Sequence, residues 1–337
     1  MNSSPFSLNK NKFPPAYIHL IYISASIVFC LLYYLKIVTP ADFGSASSID
    51  AVLSFETNLP FQYRLLFPFF FKPLSLAKLI PDKTLFLILS IILVYLIIIM
   101  YYYLISEYFQ NGKINYFLAL VIVYPMLWNY VILNQTFQYY DLTAVLFFTA
   151  GLYLIASNNF KFLFIIFVLA VLNKESAVYL VFCYILYNYR DVFTKSVLGN
   201  SVILVVSFII IKLTLYLIFK DNPGDPVEYT YRWNTEIINN LFTNRVYIKN
   251  VFLNFGLLYI FPILIAATAG WKKFDPVNYG RTFIFFTLFI YIAVGFFIVY
   301  YTEVRVYSEL IPVVSTTFLI YLSTFNNKYI RPLIKSN

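Results

Sequence analysis

Charge is scarce in this sequence: Asp, Glu, Lys and Arg make up 12% of 337 residues, against 61% hydrophobic residues and a mean hydropathy of +0.77. A soluble domain averages about 45–50% apolar and about 25% charged residues. Such a chain cannot cover a water-facing surface, which excludes the ordinary soluble classes. Histidine occurs once, at His19, and cysteine twice, at Cys30 and Cys183, both within apolar runs. One histidine and no cysteine pair argue against a zinc site, and two isolated apolar cysteines read as core residues rather than a disulfide. Acid–base chemistry is therefore left to carboxylates, Lys or Tyr. Low-complexity tracts, heptads and internal repeats are absent.

What is abundant is aromatic and aliphatic. Tyr (32) and Phe (37) together dominate the aromatic content, and Tyr suits interfaces and wet cavities, where its ring is buried and its hydroxyl is not. Charge-poor stretches recur from end to end, each near the roughly 20 residues that a span requires. The expected fold is an all-α polytopic membrane protein of about ten transmembrane helices, forming a single transmembrane domain over residues 1–337. Spans are expected near 17–39, 84–106, 115–134, 142–157, 162–173, 177–188, 200–220, 251–270, 282–301 and 310–325. The first is too long for a signal-peptide core and lacks a small-residue cleavage site, so it reads as retained. The stretches 142–157, 162–173 and 177–188 are short for full crossings; they are either thin helices inside the bundle or a re-entrant pair turning at Asn173-Lys174-Glu175.

Orientation follows from the distribution of Lys and Arg. With the N-terminal tail in the cytoplasm, the cytoplasmic segments hold twelve cations against Glu107, Asp191 and Asp275, and the outer segments hold ten cations against twelve acids. Both termini are then cytoplasmic in a multi-pass protein of the cell inner (plasma) membrane. The net +9 is a positive-inside bias that favours contact with anionic membrane lipid; it does not point to nucleic acid. Two outer loops are long, near 40–83 and 221–250. Within the first, 64–81 reads as a helix lying in the outer interface, because it combines an aromatic face with sparse Arg and Lys.

Four polar constellations share the outer side: Asp50 with Gln62-Tyr63-Arg64; Gln135 through Tyr140-Asp141; Asn173-Lys174-Glu175; and Glu303-Val304-Arg305 with Glu309. A charge at membrane depth costs at least about 2.5–3.5 kcal/mol unless paired or wetted, so a shared outward-facing cavity accounts for them together. Each also has a local explanation. Lys174 and Glu175 can pair across a turn, Glu303 and Arg305 can sit in a solvated turn, Asp141 can cap the next helix, Asp50 can cap a short one, and Arg64 can snorkel from the interface.

Asp50, followed by Leu59-Pro60-Phe61-Gln62-Tyr63-Arg64-Leu65-Leu66-Phe67-Pro68, resembles the first outer loop of the GT-C superfamily, membrane glycosyltransferases that use polyprenyl-phosphate-linked sugars. A single N-terminal span, a long loop with an early Asp, an interfacial helix and many further spans are similar to that layout. The resemblance implies sugar transfer from a polyprenyl-phosphate donor to a glycan, lipid or protein acceptor on the extracytoplasmic face. It implies Asp50 as general base, with Asp42 as runner-up, and Arg64, Lys174 and Arg305 as phosphate ligands. Tyr63, Tyr139 and Tyr140 would offer sugar-stacking faces or hydroxyl contacts, with Asp141, Glu175 and Glu309 completing the binding set. The loop lacks the paired acids that many members carry, which leaves a divalent cation open and assigns no metal ligand. Three rivals remain: a transporter or flippase for a lipid-linked or small polar substrate, an O-antigen-type polymerase or ligase, and a non-catalytic assembly subunit. Nine glycines and charges gathered towards one face fit poorly with the broken midplane helices of many transporters.

Overall fold

The computed structural model describes residues 13–40, 49–109, 112–133, 137–225, 229–261, 297 and 301–325. Its regular structure is helical throughout, with no strand among the described residues. Helix α1 runs Ala16–Tyr33 and continues as a wider π-type turn to Val38. It is followed by α2 (Leu66–Leu76), α3 (Asp82–Ser106) and α4 (Gly112–Ile132). Next come α5 (Asp141–Ala156), α6 (Phe160–Asn173), α7 (Glu175–Tyr187) and α8 (Lys195–Phe219). Two short amphipathic helices, α9 (Tyr231–Asn239) and α10 (Arg245–Phe252), precede the final α11 (Ile311–Phe325). Among the described residues four helices are long and apolar enough to cross a membrane: α1 with its extension, α3, α4 and α8. Of the expected span 251–270 only 251–261 is described, and no continuous helix runs through it, because α10 ends at Phe252 and the backbone is left-handed at Phe255, Gly256 and Leu257; of 282–301 only 297 and 301 are described.

Helix α5 is the hub. It packs against α3, α6, α7, α11 and the Val304–Leu310 turn, and most of its length is buried. Sixteen residues rise only about 24 Å, short of the roughly 30 Å of a bilayer core. The helix can be short because protein surrounds it and a polar cluster occupies the end it does not reach. Gly151 permits the close approach to α7: a Cβ there would stand 2.7 Å from the buried Leu180 side chain. Between α6 and α7 the chain opens at Lys174, which is extended at φ −162° and ψ 141°.

Two departures from regularity have local causes. In α4, Pro125 has no N–H to donate, and the helix passes through 3₁₀, α and π geometry to re-satisfy its backbone. The helix expected over 64–81 is shorter, running Leu66–Leu76 before Lys78 turns to φ +50°. Helix α2 has two faces. Phe67 and Phe71 are buried, with Phe67 against Phe86 and Tyr139, while Phe69 and Phe70 are exposed. The surface of α8 is apolar at Leu198, Val202, Ile209, Leu213 and Leu217, all exposed, a surface compatible with lipid rather than water. Cys30 and Cys183 are buried and unbridged, and His19 Nδ1 lies 2.8 Å from the Tyr95 hydroxyl.

Candidate functional site

The site begins with a pinned loop. Gln62 is fully buried; its amide nitrogen donates to the Val52 carbonyl at 2.8 Å, and its oxygen accepts from the Thr57 N–H at 3.2 Å. This holds the Phe61–Tyr63 turn, so that Arg64 points into the bundle, with the Tyr139 hydroxyl donating to its carbonyl at 3.4 Å. The guanidinium forks onto Glu175, with Nη2 at 2.6 Å from Oε1 and Nε at 3.4 Å from Oε2. Nη1 donates to the Tyr140 hydroxyl. The Phe61 and Tyr140 ring centroids lie 4.8 and 4.3 Å from the guanidinium carbon, within cation–π range. Burial by itself would lower the Arg64 pKa; the Glu175 charge and Tyr140 outweigh it and push the pKa up, so the group stays cationic.

Deeper in, Asp141 opens α5. It makes no capping bond; its carboxylate turns outward to cations instead. Arg305 Nη1 stands 3.3 Å from Asp141 Oδ2, while Nη2 donates to Glu303 at 2.8 Å. Lys174 Nζ is 2.7 Å from Glu309 Oε1 and 3.7 Å from Asp141 Oδ1. The Ser176 hydroxyl donates to Glu309 at 2.5 Å, and Asn173 donates to the Tyr140 carbonyl at 3.1 Å. Side chains of Asp141, Lys174, Arg305 and Glu309 are no more than 5% exposed.

The local explanations therefore give way for most of these residues. Lys174 and Glu175 do not pair with each other; they face different partners on different segments. Arg64 and Arg305 are buried rather than snorkelling or solvated. Arg64, Tyr140, Asp141, Lys174, Glu175, Arg305 and Glu309 meet in one network. Tyr63 borders it, its ring centroid 5.1 Å from Lys212 Nζ.

Asp50 is placed differently. It lies in the Ile49–Leu53 turn with its side chain 69% exposed and pairs with Lys72 of α2. The same Gln62 bond to Val52 ties that turn to the Arg64 segment. Asp42 and Gln135 lie outside the described residues. Among the described residues no group of three or more His, Cys, Asp and Glu side chains is arranged to hold a metal ion.

Sequence reasoning missed Lys212, 3.8 Å from Glu175 on α8. Its signal was a lone cation within a long apolar run, which marks a functional candidate in a membrane helix. Ser176 and Phe61 had no such signal.

An all-helical chain with membrane-length apolar helices and a buried ionic network at one end of a short central helix is the class that fold and site define. No family model, curated protein or solved structure matches the chain, so the geometry of the site carries the functional argument.

Proposed function

We propose that the protein is a GT-C-type membrane glycosyltransferase that moves a sugar from a polyprenyl-phosphate donor to a glycan, lipid or protein acceptor. In this reading about ten spans cross the plasma membrane, both termini are cytoplasmic, and the network opens to the extracytoplasmic side. The observation that carries it is the meeting of Arg64, Lys174 and Arg305, drawn from three distant segments into one buried cluster, with an accessible Asp50 on the turn that the Gln62–Val52 bond ties to the Arg64 segment. Cations at such depth are retained against a desolvation cost, and phosphate is the anion that an Arg fork fits best.

Asp50 accepts the proton of the acceptor hydroxyl as that oxygen attacks the anomeric carbon. The bond from that carbon to the phosphate oxygen breaks, and its electron pair leaves with the polyprenyl phosphate. A phosphate needs no proton to depart, only cations to hold it. Asp50 suits the base because its side chain is 69% exposed and its ion pair with Lys72 lies at the surface, whereas Asp141 and Glu309 are locked in buried ion pairs. Membranes carrying wild type or Asp50→Asn, supplied with radiolabelled polyprenyl-phosphate sugars and a panel of acceptors, provide the test. Loss of polyprenyl-phosphate release in the variant is expected. Undiminished release would remove Asp50 from the reaction.

The paired Asp141, Lys174, Glu309 and Arg305 core also favours a second reading, a transporter or flippase, since buried compensated charges line substrate pathways. Release of polyprenyl phosphate by protein in detergent micelles separates the two, because transport requires a sealed compartment and transfer does not.

A further inference from the structure

The network is not uniformly balanced. At its edge Arg64 and Lys212 face a single carboxylate, Glu175. In its core Lys174 and Arg305 face three: Asp141, Glu303 and Glu309. The excess of positive charge therefore sits at the edge. Access divides the same way. The Glu175 side chain is 37% exposed, Lys212 19% and Arg64 9%, against 5% or less for Lys174 and Arg305.

We propose that Arg64 and Lys212 form an anion seat which Glu175 occupies in the empty protein, and that a lipid-borne phosphate takes the seat by displacing Glu175. The proposal rests on the glycosyltransferase reading for its substrate, and it adds the seat, the resident carboxylate and the route.

The geometry of the seat supports the exchange. Glu175 already presents two oxygens to the guanidinium fork, as a phosphate would. Lys212 stands 3.8 Å from Glu175, an ion pair too long for a hydrogen bond, so a larger, three-oxygen anion closes that gap. Each cation also has aromatic contacts besides Glu175. Arg64 lies between the Phe61 and Tyr140 rings, and Lys212 lies over Tyr63.

The route follows from α8. Lys212 lies seven residues before Phe219, about 10 Å inside the helix end. Its neighbours Ile209, Leu213 and Leu217 are exposed and apolar. An anion carried on a hydrocarbon chain reaches the seat along this surface; a free phosphate ion would have to leave water to do so.

Charge matching gives the seat a part in transfer. A donor phosphodiester carries one negative charge, and the departing polyprenyl phosphate carries close to two at neutral pH. Two cations freed of Glu175 fit the second state better than the first, so their hold tightens as the bond breaks.

Equilibrium binding of undecaprenyl phosphate to full-length protein in nanodiscs tests the seat without requiring transfer. Glu175→Gln is expected to bind about tenfold tighter and Lys212→Gln about tenfold weaker, with Glu236→Gln, exposed and outside the network, unchanged. Unchanged or weaker binding by a folded Glu175→Gln overturns the exchange. If that variant does not fold, Lys212→Gln decides alone, and unchanged binding there overturns the seat. Inorganic phosphate serves as competitor and is expected to act only at far higher concentration. Equal potency assigns the seat to a soluble phosphate and overturns the lipid route. Sugar transfer without the binding pattern refutes the seat alone; the binding pattern without transfer from any donor refutes the glycosyltransferase reading alone.

Discussion

Asp141 is held at 1% side-chain exposure by one close cation and one distant one, Arg305 at 3.3 Å and Lys174 at 3.7 Å, and its Oδ1 accepts no hydrogen bond. Its position as first residue of α5 adds the favourable end of the helix dipole, but that contribution is at most about 2 kcal/mol. Arg305 is thus the partner that makes the buried carboxylate tolerable. Removing one member of a buried pair typically costs about 3–5 kcal/mol, because the other charge is left uncompensated. Arg305→Ala is expected to destabilise the fold by that order. The double variant Arg305→Gln with Asp141→Asn should recover much of the loss, since no orphan charge then remains. Unfolding midpoints of the two singles and the double measure the coupling; strict additivity would show that Arg305 acts through packing and not through Asp141.

At the scale of elements, the central pair α5 and α7 depends on one missing side chain. Gly151 leaves room for Leu180, which is fully buried and cannot swing into open space. Gly151→Val is expected to overpack this contact and cost about 1–3 kcal/mol. Leu180→Ala in the same chain should relieve part of the strain, which thermal unfolding of the purified protein would register. A loss of stability that Leu180→Ala does not reduce would locate the strain elsewhere. The consequence reaches the site, because α5 and α7 carry Asp141 and Glu175 at adjoining ends. Helix α8 contributes differently: it exposes an apolar face along most of its length yet turns one cation, Lys212, onto the network.

The whole molecule is polarised. The loop bearing Asp50, the start of α5, the Lys174 turn and the Val304–Leu310 turn join in the network, while the α3–α4 turn lies at the far end of α3, whose 25 residues span about 37 Å. If the network faces the outside, Glu56→Cys should react with a membrane-impermeant maleimide in intact cells. Lys113→Cys should react only after the membrane is opened. Both positions are exposed, and native Cys30 and Cys183 are buried, giving little background. The reverse pattern would invert the topology and place the site in the cytoplasm.

Helices and their approximate limits were legible along the chain because an apolar run of sufficient length is a local property, and water cannot satisfy its backbone within lipid. Hence Ala16–Val38, Asp82–Ser106 and Lys195–Phe219 lie close to their expected ranges. The polar positions that interrupt those runs were legible for the same reason, since each is costly where it stands. Which charge meets which was not. Lys174 and Glu175 are neighbours in sequence yet face opposite partners, because the extended backbone at Lys174 sends consecutive side chains to different sides. The pairing of Arg64 with Glu175, and of Arg305 with Asp141, joins residues 111 and 164 positions apart. Only the packing of α5 among its neighbours could bring them together, because ion pairs are decided by distance and burial in three dimensions.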